Sequence, residues 1–183
     1  MRIMQLTTVN LGKLLPLILC IMILSACSSS KEKAEQKIAK TENNLKELET
    51  PATVEQLEDL LQQYTLFVQN YPKDTMAPQY LYRAINLSMG MGKGEQTMNL
   101  IDKSLNEYPN QPKIAEIVFL KAYVYENLLG DYGQAATIYR GFPTRFPDHE
   151  LADDAEAAAR NIGKSPDELI REFEAMNNKD TLK

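Results

Sequence analysis

At 183 residues, 44% apolar and 25% charged, the chain has the composition of one soluble globular domain. Its formal charge is -5, and the first 26 residues hold Arg2 and Lys13 but no acid, so a body without them carries -7. That acidity argues against nucleic acid, whose binders use a basic patch to neutralise phosphates, and anionic headgroups would repel it as well.

Leu, Ala and Glu are favoured over β-branched residues, which predicts an all-α fold. Residues 14–24, LLPLILCIMIL, form an uninterrupted apolar run preceded by Arg2 and Lys13 and followed by Ser25 and Ala26. A spanning helix needs about 20 residues, so this run is too short; it has the length of the apolar region of a signal peptide. The alternative is a buried N-terminal core helix, which seldom ends in small residues of this kind.

The tetrad Leu24-Ser25-Ala26-Cys27 resembles the lipobox of bacterial lipoproteins, a Leu and two small residues before an obligatory Cys. The resemblance implies that residues 1–26 are a lipoprotein signal peptide, that cleavage falls between Ala26 and Cys27, and that Cys27 then carries diacylglycerol and an N-acyl chain. Two or more acyl chains anchor a protein stably where one holds it only marginally. Ser28, in place of an Asp after the Cys, implies the outer membrane, with the body in the periplasm or on the cell surface. Without the resemblance, Cys27 reads as a disulfide partner of Cys20 or as a free structural thiol.

Residues 28–49, SSSKEKAEQKIAKTENNLKELE, are charged, and Ile38, Leu45 and Leu48 offer one thin apolar stripe. Residues 27–51 therefore predict a lipid-anchored spacer, partly helical, with its boundary at Thr50-Pro51.

Beyond it, Tyr71-Pro72 recurs as Tyr108-Pro109 and Phe146-Pro147, at spacings of 37 and 38 residues. Periods of this size signal stacked helical hairpins. Leu57, Leu60, Leu61, Tyr64, Phe67, Val68 and Tyr71 recur at threes and fours, as on one helix face. A second helix is predicted from about Thr75 to Met89, broken by MGMGKG, and a third from Glu95 to Tyr108. The next starts near Pro112; its polar residues Glu116, Lys121, Glu126 and Asn127 scatter around it, so it needs apolar contact on most sides. Gly130-Asp131 turns the chain into a helix with Tyr132, Ala135, Ile138, Tyr139 and Phe142 in step, and Pro143 predicts a kink or an early end. Ser165-Pro166-Asp167-Glu168 reads as a capping box opening a last helix with Leu169, Ile170, Phe173 and Met176.

These positions resemble the tetratricopeptide repeat. Gly130, Tyr132, Ala135, Tyr139 and Pro147 match its Gly, aromatic, Ala, aromatic and Pro pattern; Gly92, Ile101, Ser104 and Pro109 align in the unit before, with Thr97 where Ala is usual. The longer units ending in Tyr-Pro are similar to those of the lipoprotein BamD and the periplasmic protein CpoB. The resemblance spans residues 52–177, leaving 178–183 as a tail, and implies a short tetratricopeptide-like solenoid of antiparallel helix hairpins behind the spacer. Small residues such as Ala84, Ala122, Ala135 and Ala136 would let helices approach closely. Tyr82, Arg83, Asn86, Lys121 and Tyr125 are the candidates for a binding concave face; the alternative is that the tyrosines are core and the charges merely solvated.

His149 stands without Cys ligands, MGMGKG lacks phosphate-loop spacing, and no nucleophile-base set assembles, so neither metal nor catalysis is expected. The expected function is a lipid-anchored adaptor binding another envelope protein or a segment of one, with no cofactor beyond the lipid. The alternative is an envelope protein that captures glycan or peptidoglycan.

Overall fold

The structure is a computed structural model that describes residues 30–165 and, beyond them, residues 167, 168, 170, 171 and 174. Among the described residues it is all-helical. Helix α1 covers residues 30–46, α2 Val54–Asn70, α3 Ala77–Gly90 and α4 Gly94–Glu107. Helix α5, Ile114–Val124, continues as a π-helical turn, Tyr125–Leu129, before α6, Tyr132–Arg145, and α7, Ala152–Asn161. The chain divides into two compact units at Pro72.

The first unit pairs α1, which lies in the stretch expected to be a partly helical spacer, with α2. Ile38 is 1% exposed. Thr41 Oγ1 lies 3.0 Å from Gln63 Nε2, which donates to it, and the Tyr64 hydroxyl donates to Glu42 at 2.6 Å. A charged segment with one buried isoleucine is thus joined to its neighbour by side-chain hydrogen bonds as well as by Ile38, and the compact unit runs to Pro72. Helix α2 opens on a reciprocal capping box: the Gln56 N–H donates to Thr53 Oγ1 and the Thr53 N–H donates to Gln56 Oε1. Such a pair satisfies two of the donors a helix start leaves open.

In the second unit each helix packs on the next, α3 on α4, α4 on α5, α5 on α6 and α6 on α7. One apolar cluster joins Ala115, Val118 and Ala122 of α5 to Ala135, Tyr139 and Phe142 of α6 and Ala155 of α7. Phe119 meets both Tyr139 and Phe142 edge-on, at centroid distances of 5.3 and 5.8 Å. Buried residues lie on several sides of α5, among them Ala115, Ile117, Val118, Ala122 and Val124, as the scatter of its polar residues predicts. Thr97, in the place of an Ala, is fully buried with its hydroxyl 2.9 Å from Ser88 Oγ and 2.9 Å from the Lys93 carbonyl, so the polar atom is satisfied.

The period in the sequence is a repeated backbone junction. Tyr71, Tyr108 and Phe146 each cap a helix with φ near -131° to -134° and ψ of 54° to 63°, and each N–H donates to the carbonyl four residues back, on Phe67, Ser104 and Phe142. Three residues beyond the aromatic, the carbonyls of Asp74, Gln111 and His149 accept from the N–H groups of Ala77, Ile114 and Ala152, the first residues of the next helices. Proline fits after the cap because it cannot continue a helix. The turns after α3 and α5 also match: Gly92 and Gly130 take φ of 71° and 69°, which favours glycine, and Lys93 and Asp131 then cap α4 and α6.

Of the kink or early end expected at Pro143 in α6, the early end does not occur: the helix runs to Arg145. The proline sits in the last turn, where its missing N–H costs one bond, and the Phe146 N–H still closes onto Phe142. Tyr132 is 53% exposed and adds little to the core. The capping box at Ser165 is present: the Ser165 N–H donates to Glu168 Oε2 at 2.7 Å and the Glu168 N–H to Ser165 Oγ at 3.3 Å. The Ser165 N–H, and then its hydroxyl donating to the same oxygen at 2.9 Å, hold the Glu168 carboxyl below its usual range. Leu169, Phe173, Met176 and the tail lie outside the described residues, and Ile170 is exposed.

Candidate functional site

A groove of about 370 Å³ lies between α4, α5 and α6. Leu105 of α4, Val118 of α5 and Ile138 and Phe142 of α6 supply its apolar lining. Its polar lining comes from Lys121, Tyr125, Gln134, Thr137 and Arg145, and Gly141 leaves part of the wall bare. A Cβ built at Gly141 would meet nothing within 4 Å.

The groove contains two cations and no carboxylate. Lys121 Nζ is bound 2.6 Å from Asp102 Oδ1, across from α5 to α4, so its charge is already met. Arg145 lies with its guanidinium 5.0 Å from the centre of the Phe146 ring and has no carboxylate partner among the described residues. Thr137 donates to the Gly133 carbonyl at 2.9 Å and is committed to its own helix. Tyr125 begins the π-helical turn, and its carbonyl accepts the Asp131 N–H at 2.8 Å.

Of the five residues expected on a binding face, Lys121 and Tyr125 line this groove, whereas Tyr82, Arg83 and Asn86 on α3 do not. Arg83 lies 5.5 Å from the Tyr80 ring centre, and the Asn86 amide donates to the Tyr82 carbonyl at 2.8 Å. Half-buried Tyr82 stands within electrostatic reach of Lys113. The residues that sequence reasoning missed are on α6. Gln134, Thr137, Ile138, Gly141 and Arg145 follow one another at threes and fours, so the face was periodic; its mixed polarity hid it from an apolar search.

A second groove, of about 250 Å³, belongs to the first unit and is lined from α1 by Ala34, Lys37 and Ile38 and from α2 by Leu66, Phe67 and Asn70. His149 serves the repeated junction: its Nδ1 accepts the Leu151 N–H at 3.2 Å, and its Nε2 faces Glu116 Oε2 at 3.8 Å, an ion pair only when the imidazole is protonated. Glu116 Oε1 is bound by Lys113 Nζ at 2.7 Å. Burial works to raise the Glu116 carboxyl, but the Lys113 bond, its backbone and His149 together outweigh it and hold it below its usual value. Burial, then the Glu126 carboxylate 3.1 Å away, pushes the Tyr139 hydroxyl well up, so it remains a donor.

Among the described residues no group of three or more His, Cys, Asp or Glu could hold a metal, and no helix is long and apolar enough to cross a membrane. Residues 1–26, expected to be a signal peptide, and Cys27, the expected lipidation site, lie outside the described residues. No family model matches the chain, and no curated protein is significantly similar to it.

Proposed function

We propose that the chain is a lipid-anchored adaptor of the bacterial cell envelope, tethered through Cys27 to the outer membrane and binding a segment of another envelope protein. In this reading residues 52–177 form a short tetratricopeptide-like solenoid, whose hairpins stack because none can bury its apolar face alone. The observation that carries the reading is the junction made three times over, at Tyr71, Tyr108 and Phe146, with one backbone conformation and one hydrogen-bond pattern. A stack of this kind leaves side chains on one wall free for recognition, and the groove between α4, α5 and α6 combines apolar surface with a few polar groups, as binding sites do.

The test is cross-linking in living cells, then purification from solubilised membranes and mass spectrometry, with Cys27→Ala beside the wild type. The expected result is one stoichiometric protein partner, reduced or lost when the anchor is removed. Recovery of no protein partner, together with heat on titration with a glycan panel, would overturn the adaptor in favour of ligand capture.

A further inference from the structure

Aligned on the repeated junction, Arg145 and Gly141 of α6 occupy the places of Glu107 and Lys103 of α4, one and five residues before the capping aromatic. In α4 those places hold an ion pair across one helical turn, Lys103 Nζ to Glu107 Oε1 at 2.7 Å. In α6 the first side chain is absent and the second has its charge reversed. The bare turn opens the groove wall, and the cation beside it lies against the face of Phe146 with no carboxylate partner among the described residues. A cation in a last turn favours the helix carbonyls, which accounts for Arg145 alone. It does not account for a glycine one turn earlier, in a helix interior where glycine costs about 0.5–1 kcal/mol relative to alanine.

From this pairing we propose that the groove takes an extended peptide segment of a partner protein carrying an apolar side chain beside a carboxylate side chain. The apolar group sits over Gly141 against Val118, Ile138 and Phe142, and the carboxylate meets Arg145. Gln134 and Tyr125 also line the groove and offer an amide and a hydroxyl as further hydrogen-bonding groups. Charge complementarity selects this occupant: with Lys121 met by Asp102, the groove lining still holds Arg145 and no acid within a chain of net charge -5, so a basic segment is drawn elsewhere on the surface. A guanidinium fork suits a carboxylate because two parallel N–H bonds can form.

The proposal rests on the adaptor reading and narrows it. Its test uses the full chain in nonionic detergent and four fluorescein-labelled peptides of Gly and Ser that differ only at a central Glu-Leu, Gln-Leu, Lys-Leu or Glu-Ser pair, with anisotropy read at low salt. Glu-Leu is expected to bind at least about tenfold more tightly than Gln-Leu, or 1.4 kcal/mol. Arg145→Gln should erase that ratio through loss of Glu-Leu affinity. Gly141→Glu, which supplies Arg145 with a carboxylate from its own helix, should abolish Glu-Leu binding with helical content retained. Equal binding of Glu-Leu and Gln-Leu, a ratio that survives Arg145→Gln, wild-type affinity in Gly141→Glu, or no saturable binding of any peptide would overturn it. If cross-linking still recovers a protein partner in that last case, the adaptor reading stands and this inference alone falls.

Discussion

Three glycines of the second unit allow one substitution, glycine to alanine, to be predicted with three different outcomes. Gly141 lies inside α6, and an added Cβ meets nothing within 4 Å, so only helix propensity acts. Gly141→Ala should stabilise by about 0.5–1 kcal/mol. At Gly94, the buried first residue of α4, the Cβ would stand 2.8 Å from Leu129 Cδ2 and 3.0 Å from Leu128 Cβ. The first atom ends a flexible side chain and can move; the second is tied to the backbone of the π-helical turn and cannot move without it. Gly94→Ala should therefore cost about 1–3 kcal/mol by overpacking. At Gly92 the space is open, but φ is 71°, and a side chain there costs about 1–2 kcal/mol.

Urea unfolding of the full chain in nonionic detergent, followed by circular dichroism at 222 nm, reads these differences as shifts in midpoint at constant slope. Asparagine separates the two destabilising mechanisms, because it tolerates positive φ but is larger than alanine. Gly92→Asn should recover much of the loss seen in Gly92→Ala, whereas Gly94→Asn should be worse than Gly94→Ala. A destabilised Gly141→Ala would refute the open groove wall, and a neutral Gly94→Ala would refute the close approach of α4 to the π-helical turn.

Phe142→Ala removes a ring that is fully buried and packed edge-on against Phe119 and His149, and it should cost about 3–5 kcal/mol in the same assay; a loss under about 1 kcal/mol would mean the α5–α6 core is not held there. Glu116 has its pKa lowered on folding, so its contribution is present above the ordinary value of 4.5 and is lost as the pH falls through the lowered one. Stability should decline below about pH 4.5, and Glu116→Gln should flatten that decline by under about 1 kcal/mol, since the pair is partly screened by solvent. An unchanged pH profile in Glu116→Gln would sink the assignment.

The all-helical architecture was legible because the punctuation of the chain has strong local causes. An aromatic followed by proline closes a helix with one backbone conformation, and a glycine at positive φ turns each hairpin of the second unit, so both signals survive in a single sequence. The pairing of α1 with α2 was not legible. It rests on Ile38 and on Thr41 and Glu42 reaching Gln63 and Tyr64, and a hydrogen bond between polar side chains leaves no hydrophobic period to read. The early end expected at Pro143 does not occur: the proline removes one backbone donor, and Thr144 and Arg145 still complete the last turn. The groove was half legible. Lys121 and Tyr125 came from a helix correctly read as central, but the larger share of the lining belongs to α6, where the informative residue is a glycine and offers no side chain to notice.

The two grooves use the same helix positions. Counted back from the capping aromatic, the residues eight, five, four and one before it are Gln63, Leu66, Phe67 and Asn70 in α2, and Ile138, Gly141, Phe142 and Arg145 in α6. Four before is phenylalanine in both, and each ring contacts its capping aromatic at a centroid distance of 5.1 Å. In α4 that place is Ser104, and buried Gln111 from the following turn donates to its hydroxyl at 2.7 Å, so a hydrogen bond occupies the site of an aromatic contact. The backbone junction is therefore compatible with two different side-chain solutions, and what repeats along the chain is the junction. Because the places five and one before the aromatic do not take part in that junction, the fold leaves their chemistry open. An apolar Leu66 beside Asn70, a self-paired Lys103 beside Glu107, and a bare Gly141 beside Arg145 are three answers to one structural position. Only the last combines an open wall with a cation that has no carboxylate partner among the described residues, which is why recognition is assigned to α6.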